Sequence, residues 1–161
     1  MDAIELLMIQ HEEAKALFKK IERAEDDEKQ DLFERVADAL AVLATIEEKQ
    51  FYPATRNART EEMLQEAVEE HLAAKRLIAD LLEMTPDDPQ FDAKIAVLKE
   101  QVEHHIEEEE AELFPKVRRM FKADELEDLG VAMEDMAEDL KAEGAPRESV
   151  PAETGSAAPL E

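Results

Sequence analysis

Apolar residues recur at three- and four-residue steps through most of the chain, which is the spacing of one buried helix face. This pattern predicts four long helices at about residues 2–24, 28–51, 60–84 and 91–121, and a shorter fifth at about 124–142. No segment shows the apolar–polar alternation of a half-buried β-strand. Long helices joined by short loops must run in alternating directions. We therefore predict an all-α fold, an antiparallel up-down-up-down four-helix bundle with an additional C-terminal helix.

Turn signals separate these helices. Pro53 is expected to end the second helix, because proline lacks an N–H and its ring clashes with the preceding turn. Residues 85–90, Thr-Pro-Asp-Asp-Pro-Gln, predict a turn before the fourth helix. Residues 144–161 are rich in Pro, Ala and Ser with almost no large apolar side chains, which predicts a disordered tail. We expect one bundle domain at residues 1–143 followed by this flexible, low-complexity tail.

Five polar residues occupy the inward stripes of the four long helices: His11, Glu47, His71, His105 and Glu109. Burying imidazoles and carboxylates is costly unless a partner compensates them. A metal ion provides such compensation, because neutral imidazole and ionised carboxylate are good ligands for iron, manganese and zinc. One inward histidine alone is more often a hydrogen-bonded core residue. Three of them on three helices, together with two inward glutamates, favour a metal site.

An internal repeat relates the two halves of the predicted bundle. The segment 47–56 matches 109–118 in the order Glu-Glu, two spacers, an apolar-aromatic pair, Pro, two spacers and Arg. The segment 11–17 likewise matches 71–77, with His, Ala, Lys and Leu at the same spacing. The chain is therefore predicted to contain two related helical hairpins, each offering one His and one carboxylate near the middle of the core.

The residues beside these candidates are expected to be structural. Tyr52 and Phe114 are predicted to close one end of the core. Glu48 and Glu110 fall on the solvated faces of their helices, although either could reach the ligands. His104 points about 100° away from the next residue, toward the flank of its helix or the solvent.

The sequence resembles the hemerythrin-like (HHE cation-binding) domain family over about residues 2–141. Four places carry the resemblance: His11, the segment Glu47-Glu48-x-x-Phe-Tyr-Pro53, His71 after two glutamates, and the segment His105-x-x-x-Glu109-Glu110-x-x-Leu-Phe-Pro115. The last is the most specific, because the His, the Glu pair and the closing Pro are all present.

The resemblance implies a four-helix bundle that holds a non-haem diiron centre between its helices. It further implies O₂ binding, oxygen or redox sensing, iron handling or peroxide chemistry. Carried over by position, His11 would serve one metal, and His71 and His105 would serve the other. Glu47 and Glu109 would bridge the two metals.

Two positions depart from the family pattern. Leu43 stands four residues before Glu47, where a His is usual, so the metal at His11 would have a single imidazole. Lys75 stands where many members have a second His on the third helix, and a protonated ammonium cannot ligate. Three alternatives stay open: a lopsided diiron site, a different ion such as manganese or zinc, or a single metal bound by His71, His105 and Glu109.

Charge narrows the range of partners. Forty-three acidic and 19 basic residues give a formal net charge of −24, which opposes binding to nucleic acids and to anionic membranes. The chain has no Cys, so a disulfide framework and thiolate ligands are excluded. The N-terminal residues lack the layout of a signal peptide, and we expect a cytoplasmic protein.

These observations favour a metal-binding helical bundle, with non-haem iron as one or two ions. We expect it to handle O₂, peroxide, NO or iron as a sensor, carrier or store, with metal ions and a small diatomic or peroxide ligand as its partners. One alternative is a metal-depleted acidic bundle that acts as an interaction module, and another is a diiron enzyme that reacts with peroxide or O₂. The Glu-x-x-His motif of ferritin-like diiron oxidases is absent from the sequence.

Overall fold

Long helices joined by short turns make up the protein, which a computed structural model describes over residues 1–160. These residues contain no β-strand, and the predicted all-helical fold is confirmed. In chain order the α-helices are α1 Ala3–Arg23, α2 Asp26–Ile46, α3 Tyr52–Thr55, α4 Glu61–Leu82, α5 Phe91–Glu108, α6 Phe114–Met120 and α7 Ala123–Ala142. None of the helices in this part of the chain combines the length and apolar character that crossing a bilayer requires.

Four helices form the bundle. α1 packs against α2 and α5, while α4 packs against α5 and α2. Asp2 caps α1 by accepting a 2.9 Å hydrogen bond from the backbone N–H of Glu5, as expected of an N-terminal Asp. α7 lies across the outside of α1 and α2. At that crossing Gly130 packs directly on the backbone of Met1 to Ala3.

Two wide helical turns interrupt the bundle at equivalent places. Glu47–Phe51 and Glu109–Leu113 each form a π-helical turn, with i→i+5 hydrogen bonds, that joins α2 to α3 and α5 to α6. The prediction that Pro53 ends the second helix is therefore wrong, since the helical path continues to Thr55. The wide turn places Pro53 in the first turn of α3, where a missing N–H is tolerated.

The buried polar residues, among them the five predicted ligand residues, lie between two apolar halves of the core. One half includes Ile4, Leu7 and Leu64 near the π-helical turns. The other includes Phe18 and Phe33 toward the opposite end. Because both halves exclude water, polar groups at the level between them depend on one another for hydrogen bonds.

The C-terminal segment differs from the sequence-based expectation. Pro146–Glu153 form a 3₁₀ helix that packs against α2 and α4. Val150 is buried in the second half of the core and Leu160 in the first. Composition predicts a flexible tail because large apolar side chains are few, but two well-placed ones suffice where a groove and ion pairs are available. Residues 146–160 are thus described as a packed segment, and the division into a bundle domain and a flexible tail stays a prediction; the last residue of the predicted tail, Glu161, lies outside the described residues.

Candidate metal centre

The structure brings all five predicted ligand residues together. His11 comes from α1, His71 from α4 and His105 from α5, while Glu47 and Glu109 each begin a π-helical turn. His11 and Glu47 are 0% exposed, Glu109 is 3% exposed, and the other two histidines are 7% exposed. Such burial of ionisable groups requires strong internal partners.

The π-helical turns determine which side chains face the centre. Residues five apart in a regular α-helix point about 140° away from each other. The wider turn instead returns Tyr52 to the face of Glu47, and its hydroxyl lies 3.2 Å from Oε2 of that residue. In the second repeat the same turn returns Phe114 to the face of Glu109, where its ring stacks on His11. Turns of this type are frequently found at functional sites.

The first candidate subsite consists of Glu47, His71 and His105, with one ligand atom from each lying within 4.8 Å of the others. The Nε2 atoms of the two histidines are 3.2 Å apart. Nε2 of His71 also lies 3.2 Å from Oε1 of Glu47, and Nε2 of His105 lies 4.0 Å from that oxygen. The three donors therefore converge on one small region.

The second candidate subsite consists of His11, Glu47 and Glu109, within the same 4.8 Å limit. Nε2 of His11 is 3.1 Å from Oε1 of Glu109. The other oxygen of Glu109, Oε2, is 3.4 Å from Nε2 of His105. Glu109 thus presents one oxygen to each subsite, and Glu47 belongs to both groups. Glu47 and Glu109 are thus the carboxylates that lie between the two candidate subsites.

Three further glutamates hold the outer nitrogens of the histidines. Nδ1 of His71 is 2.7 Å from Glu48, Nδ1 of His105 is 2.8 Å from Glu70, and Nδ1 of His11 is 2.7 Å from Glu110. Because an ionised carboxylate only accepts hydrogen bonds, each Nδ1 carries a proton. When the ring is neutral, Nε2 is then the nitrogen with a free lone pair, and each Nε2 points inward. Carboxylate partners of this kind are usual behind metal-bound histidines.

Sequence reasoning identified some of these contacts and missed others. Glu48 and Glu110 were expected to be solvated but within reach, whereas the structure shows both bonded to histidines and Glu48 buried. Sequence reasoning missed Glu70, because its position one residue before His71 does not indicate a contact with His105 on another helix. His104 is exposed, as expected.

Tyr52 is the main correction to the predicted site. Its hydroxyl does not simply close the core, because it donates a 2.6 Å hydrogen bond to Oε2 of Glu109. The same hydroxyl lies 3.3 Å from Nε2 of both His71 and His105. Burial, reinforced by the nearby carboxylates, raises the pKa of Tyr52 well above its ordinary value. The phenol thus keeps its proton in the metal-free protein and is one more oxygen beside the candidate subsites.

The two departures from the family pattern have visible consequences. Lys75, at the position of a common second His, is buried and donates a 3.0 Å hydrogen bond to Glu48. It therefore supports the carboxylate behind His71. Leu43 is buried and lines a cavity together with Glu47 and His71. An apolar wall thus stands where the repeat would place an imidazole.

Electrostatics divide the ionisable groups into complementary pairs. Burial, with the nearby Glu109 carboxylate, raises the pKa of Glu47 well above its ordinary value. Burial acts against His105 and Glu109 as ions, but their mutual attraction outweighs it. This attraction raises the pKa of His105 well above its usual range and holds the pKa of Glu109 well below its own. Burial lowers the pKa of His71. These directions favour an imidazolium at His105 beside an ionised Glu109, and a protonated carboxyl at Glu47.

The donor set fits a bound cation. Oε1 of Glu47 is buried and has no hydrogen-bond partner among residues 1–160, although Nε2 of His71 lies 3.2 Å away. A buried acceptor left in this state costs about 1–3 kcal/mol or more. Two imidazole nitrogens that meet at 3.2 Å can share at most one proton between them. A cation would engage all three of these atoms.

Comparison with known proteins agrees with this chemistry. Residues 2–117 match the Hemerythrin HHE cation binding domain family. The chain is similar to a solved structure of a hemerythrin HHE cation-binding domain-containing protein from Mycobacterium kansasii, with a TM-score of 0.77 and 26% identity over 95% of this chain and 91% of that one. It is also 27% identical over 128 residues to a curated DNA nickase of Nostoc sp.. That alignment covers 79% of this chain but only 36% of the nickase.

The family match covers most of the chain, the helical bundle matches that of a family member, and inward His and Glu side chains form groups able to hold metal. The chain therefore belongs to the hemerythrin HHE cation-binding domain family.

Proposed function

We propose that this protein binds two non-haem iron ions and uses them to bind O₂, NO or peroxide as a sensor or carrier. His71 and His105 would hold one ion and His11 the other, with Glu47 and Glu109 shared between them. The observation that carries the proposal is the orientation of the three imidazoles. Each Nδ1 is bound by an outer glutamate and each Nε2 points to the shared carboxylates.

The ligand types favour iron. Imidazole and carboxylate together suit iron, manganese and zinc, and the set contains no thiolate that would select a softer ion. Iron, when bound, would supply a redox-active centre able to bind diatomic molecules and peroxide. The three histidines are fewer than the family pattern provides, so open coordination positions remain for such a ligand. Metal analysis distinguishes iron from manganese or zinc bound by the same residues.

A second candidate function is reaction with peroxide or O₂, and Tyr52 is the observation that favours it. Its hydroxyl retains a proton inside the centre and lies against both shared carboxylates. A positioned proton donor of this kind contributes to general acid catalysis. The rate of peroxide loss in the iron-loaded protein, compared with Tyr52→Phe, separates the two functions.

A role on DNA is not carried over from the Nostoc relative. That relative is much longer than this chain, which spans about a third of it. The net charge of −24 also opposes contact with a phosphate backbone. The family assignment therefore concerns cation binding, and we do not propose nickase activity for this chain.

The test is metal analysis of protein purified without chelators, followed by optical spectra with O₂, NO and peroxide added. We expect close to two iron ions per chain and a spectrum that changes with at least one of these ligands. His11→Ala should reduce the content toward one ion. Protein that holds no metal, and whose melting temperature does not respond to Fe²⁺, Mn²⁺ or Zn²⁺, would favour the metal-depleted interaction module.

A further inference from the structure

A small apolar cavity separates the candidate metal centre from the C-terminal segment. It has a volume of about 50 Å³, and Glu47, His71 and His105 of the candidate metal centre are part of its lining. Val150, Ser149 and Glu153 of the C-terminal segment also line it. Glu70 and Lys75 add polar groups, but the rest of the lining is mostly apolar: Leu40, Leu43, Ala74, Ile78, Val102 and Ile106. Such a space suits an uncharged molecule of a few atoms and disfavours an ion.

The segment that covers this cavity packs on α2 and α4 and is held by one apolar anchor and several polar contacts. Val150 fills the groove between α2 and α4 and is only 2% exposed. Arg147 is fixed to Asp38 twice, through its backbone N–H and its guanidinium, each at 2.9 Å. Glu153 forms a 2.9 Å ion pair with the buried Lys75. Because these contacts come from a short 3₁₀ helix that packs on α2 and α4 after the last bundle helix has ended, the segment can open locally without unfolding the bundle.

A continuous chain of hydrogen bonds joins this cover to the candidate metal centre. Glu153 contacts Lys75 at 2.9 Å, Lys75 contacts Glu48 at 3.0 Å, and Glu48 contacts Nδ1 of His71 at 2.7 Å. Both Lys75 and Glu48 are buried, so solvent does not readily replace either partner. Lys75 stands where a ligand would be expected from the family pattern. It thus links the C-terminal segment to the support of a histidine.

We propose that residues 146–160 are a detachable cover that admits small uncharged molecules to the metal centre and excludes larger or charged reagents. We propose further that metal binding stabilises the closed cover through His71, Glu48, Lys75 and Glu153. This inference rests on the proposed function, since it concerns access to the same centre. By linkage, anything that opens the cover must then weaken metal binding by the same factor.

The cover itself is tested with opening variants of the full chain. Val150→Asp places a charge against the apolar wall, and Arg147→Gln removes the ion pair with Asp38. Glu148→Gln is the matched control, because Glu148 is an exposed residue of the same segment. We expect a bulky sulfonated chelator to remove iron about tenfold faster, or more, from both opening variants, since each loses a buried or charge-assisted contact. Removal should be unchanged in the control. Equal rates in all four proteins would overturn the cover.

The coupling is tested by hydrogen exchange of residues 148–160, measured by mass spectrometry with and without metal. In the parent protein, metal should slow exchange of this segment. Lys75→Met should abolish that metal effect, whereas Asp38→Asn should speed exchange overall and keep the metal effect. A metal effect that persists in Lys75→Met would overturn the coupling.

These tests also separate failure of the cover from failure of the proposed function. The effects of Val150→Asp and Arg147→Gln on hydrogen exchange do not depend on metal. Xenon, an uncharged apolar probe, can likewise be tested in the cavity by NMR without metal. If hydrogen exchange is faster in those variants but the protein binds no metal, the proposed function is contradicted and the proposal of a detachable cover is supported. If the protein binds metal but hydrogen exchange and xenon binding are identical in all variants, the proposed function is supported and the proposal of a detachable cover is contradicted.

Discussion

The hydroxyl of Tyr52 donates a 2.6 Å hydrogen bond to Oε2 of Glu109 across the centre of the bundle. Tyr52 directly follows one π-helical turn and Glu109 begins the other, one turn from each half of the internal repeat. The contact exists because each wide turn rotates the residue after it back toward the core. In the metal-free protein this bond partly satisfies a buried carboxylate that would otherwise depend on His105 and His11.

Tyr52→Phe should therefore act differently in the metal-free and metal-loaded proteins. Without metal, Glu109 loses a donor while staying buried, and the free energy of unfolding should fall by about 1–3 kcal/mol. With metal bound, the ion satisfies the carboxylates and the loss should be smaller. Urea unfolding of both proteins in both states measures the difference. An equal loss in both states would indicate that the hydroxyl contributes only to packing.

Metal binding at neutral pH should release protons. The raised pKa values of Glu47 and His105 favour the protonated forms of both groups, and a cation must displace such protons to bind. Affinity should fall as pH falls. Calorimetric titrations in buffers of different ionisation enthalpy measure the number of protons released. An observed enthalpy that is the same in every buffer would contradict this account.

The same shift of His105 sets the pH dependence of the metal-free protein. A histidine whose pKa is raised on folding contributes stability that is fully present below its unfolded-state pKa. That contribution is lost as the pH rises through the raised folded-state pKa. Stabilisation by metal should therefore be greatest above the ordinary imidazole range. Melting temperatures across pH, with and without metal, test this, and a metal effect that grows toward acid pH would refute it.

The outer glutamates should tune individual histidines. Glu70→Gln should weaken metal binding by about 10- to 100-fold at the subsite of His105, because the amide no longer accepts a charge-assisted hydrogen bond in the same way. Glu110→Gln should act mainly on the subsite of His11. Glu107→Gln is the matched control, since Glu107 is exposed on the same helix as His105. Competition with a metal-sensitive dye measures the metal affinity of each variant. Equal metal affinities in all three variants would show that Glu70 and Glu110 do not support the metal site.

Packing of α7 on the bundle can be tested apart from the metal centre. A Cβ atom at Gly130 would lie 2.4 Å from the carbonyl oxygen of Met1, so Gly130→Ala must displace backbone. We expect a loss of about 1–3 kcal/mol in unfolding free energy. Gly155→Ala, where a Cβ meets nothing within 4 Å, should change it by no more than about 0.5 kcal/mol. Thermal unfolding of the two variants decides the matter.

The sequence alone predicted the helices and the five inward residues because both follow regular helical periodicity. His105 and Glu109 fall on the apolar stripe of one helix, and the repeat relates Glu109 to Glu47. Tyr52 was misplaced because a π-helical turn breaks the 100° rule on which such predictions depend. Whether the five residues bind metal stays a prediction.

The C-terminal segment shows the other limit of sequence reasoning. Its composition gives no periodic apolar face, and among residues 146–160 the buried hydrophobic side chains are Val150 and Leu160. What holds it are long-range contacts, such as Arg147 with Asp38 and Glu153 with Lys75. Pairings between residues so far apart in the chain leave no local pattern. They become visible only once the bundle places α2 and α4 side by side.

The most direct test of the account is anomalous diffraction at the iron absorption edge from crystals of protein purified without chelators. The account predicts two peaks inside the bundle, one beside His71 and His105 and one beside His11, with both Glu47 and Glu109 in contact with each. Absence of any peak among these residues, or a single peak that touches only one of the two carboxylates, would contradict it.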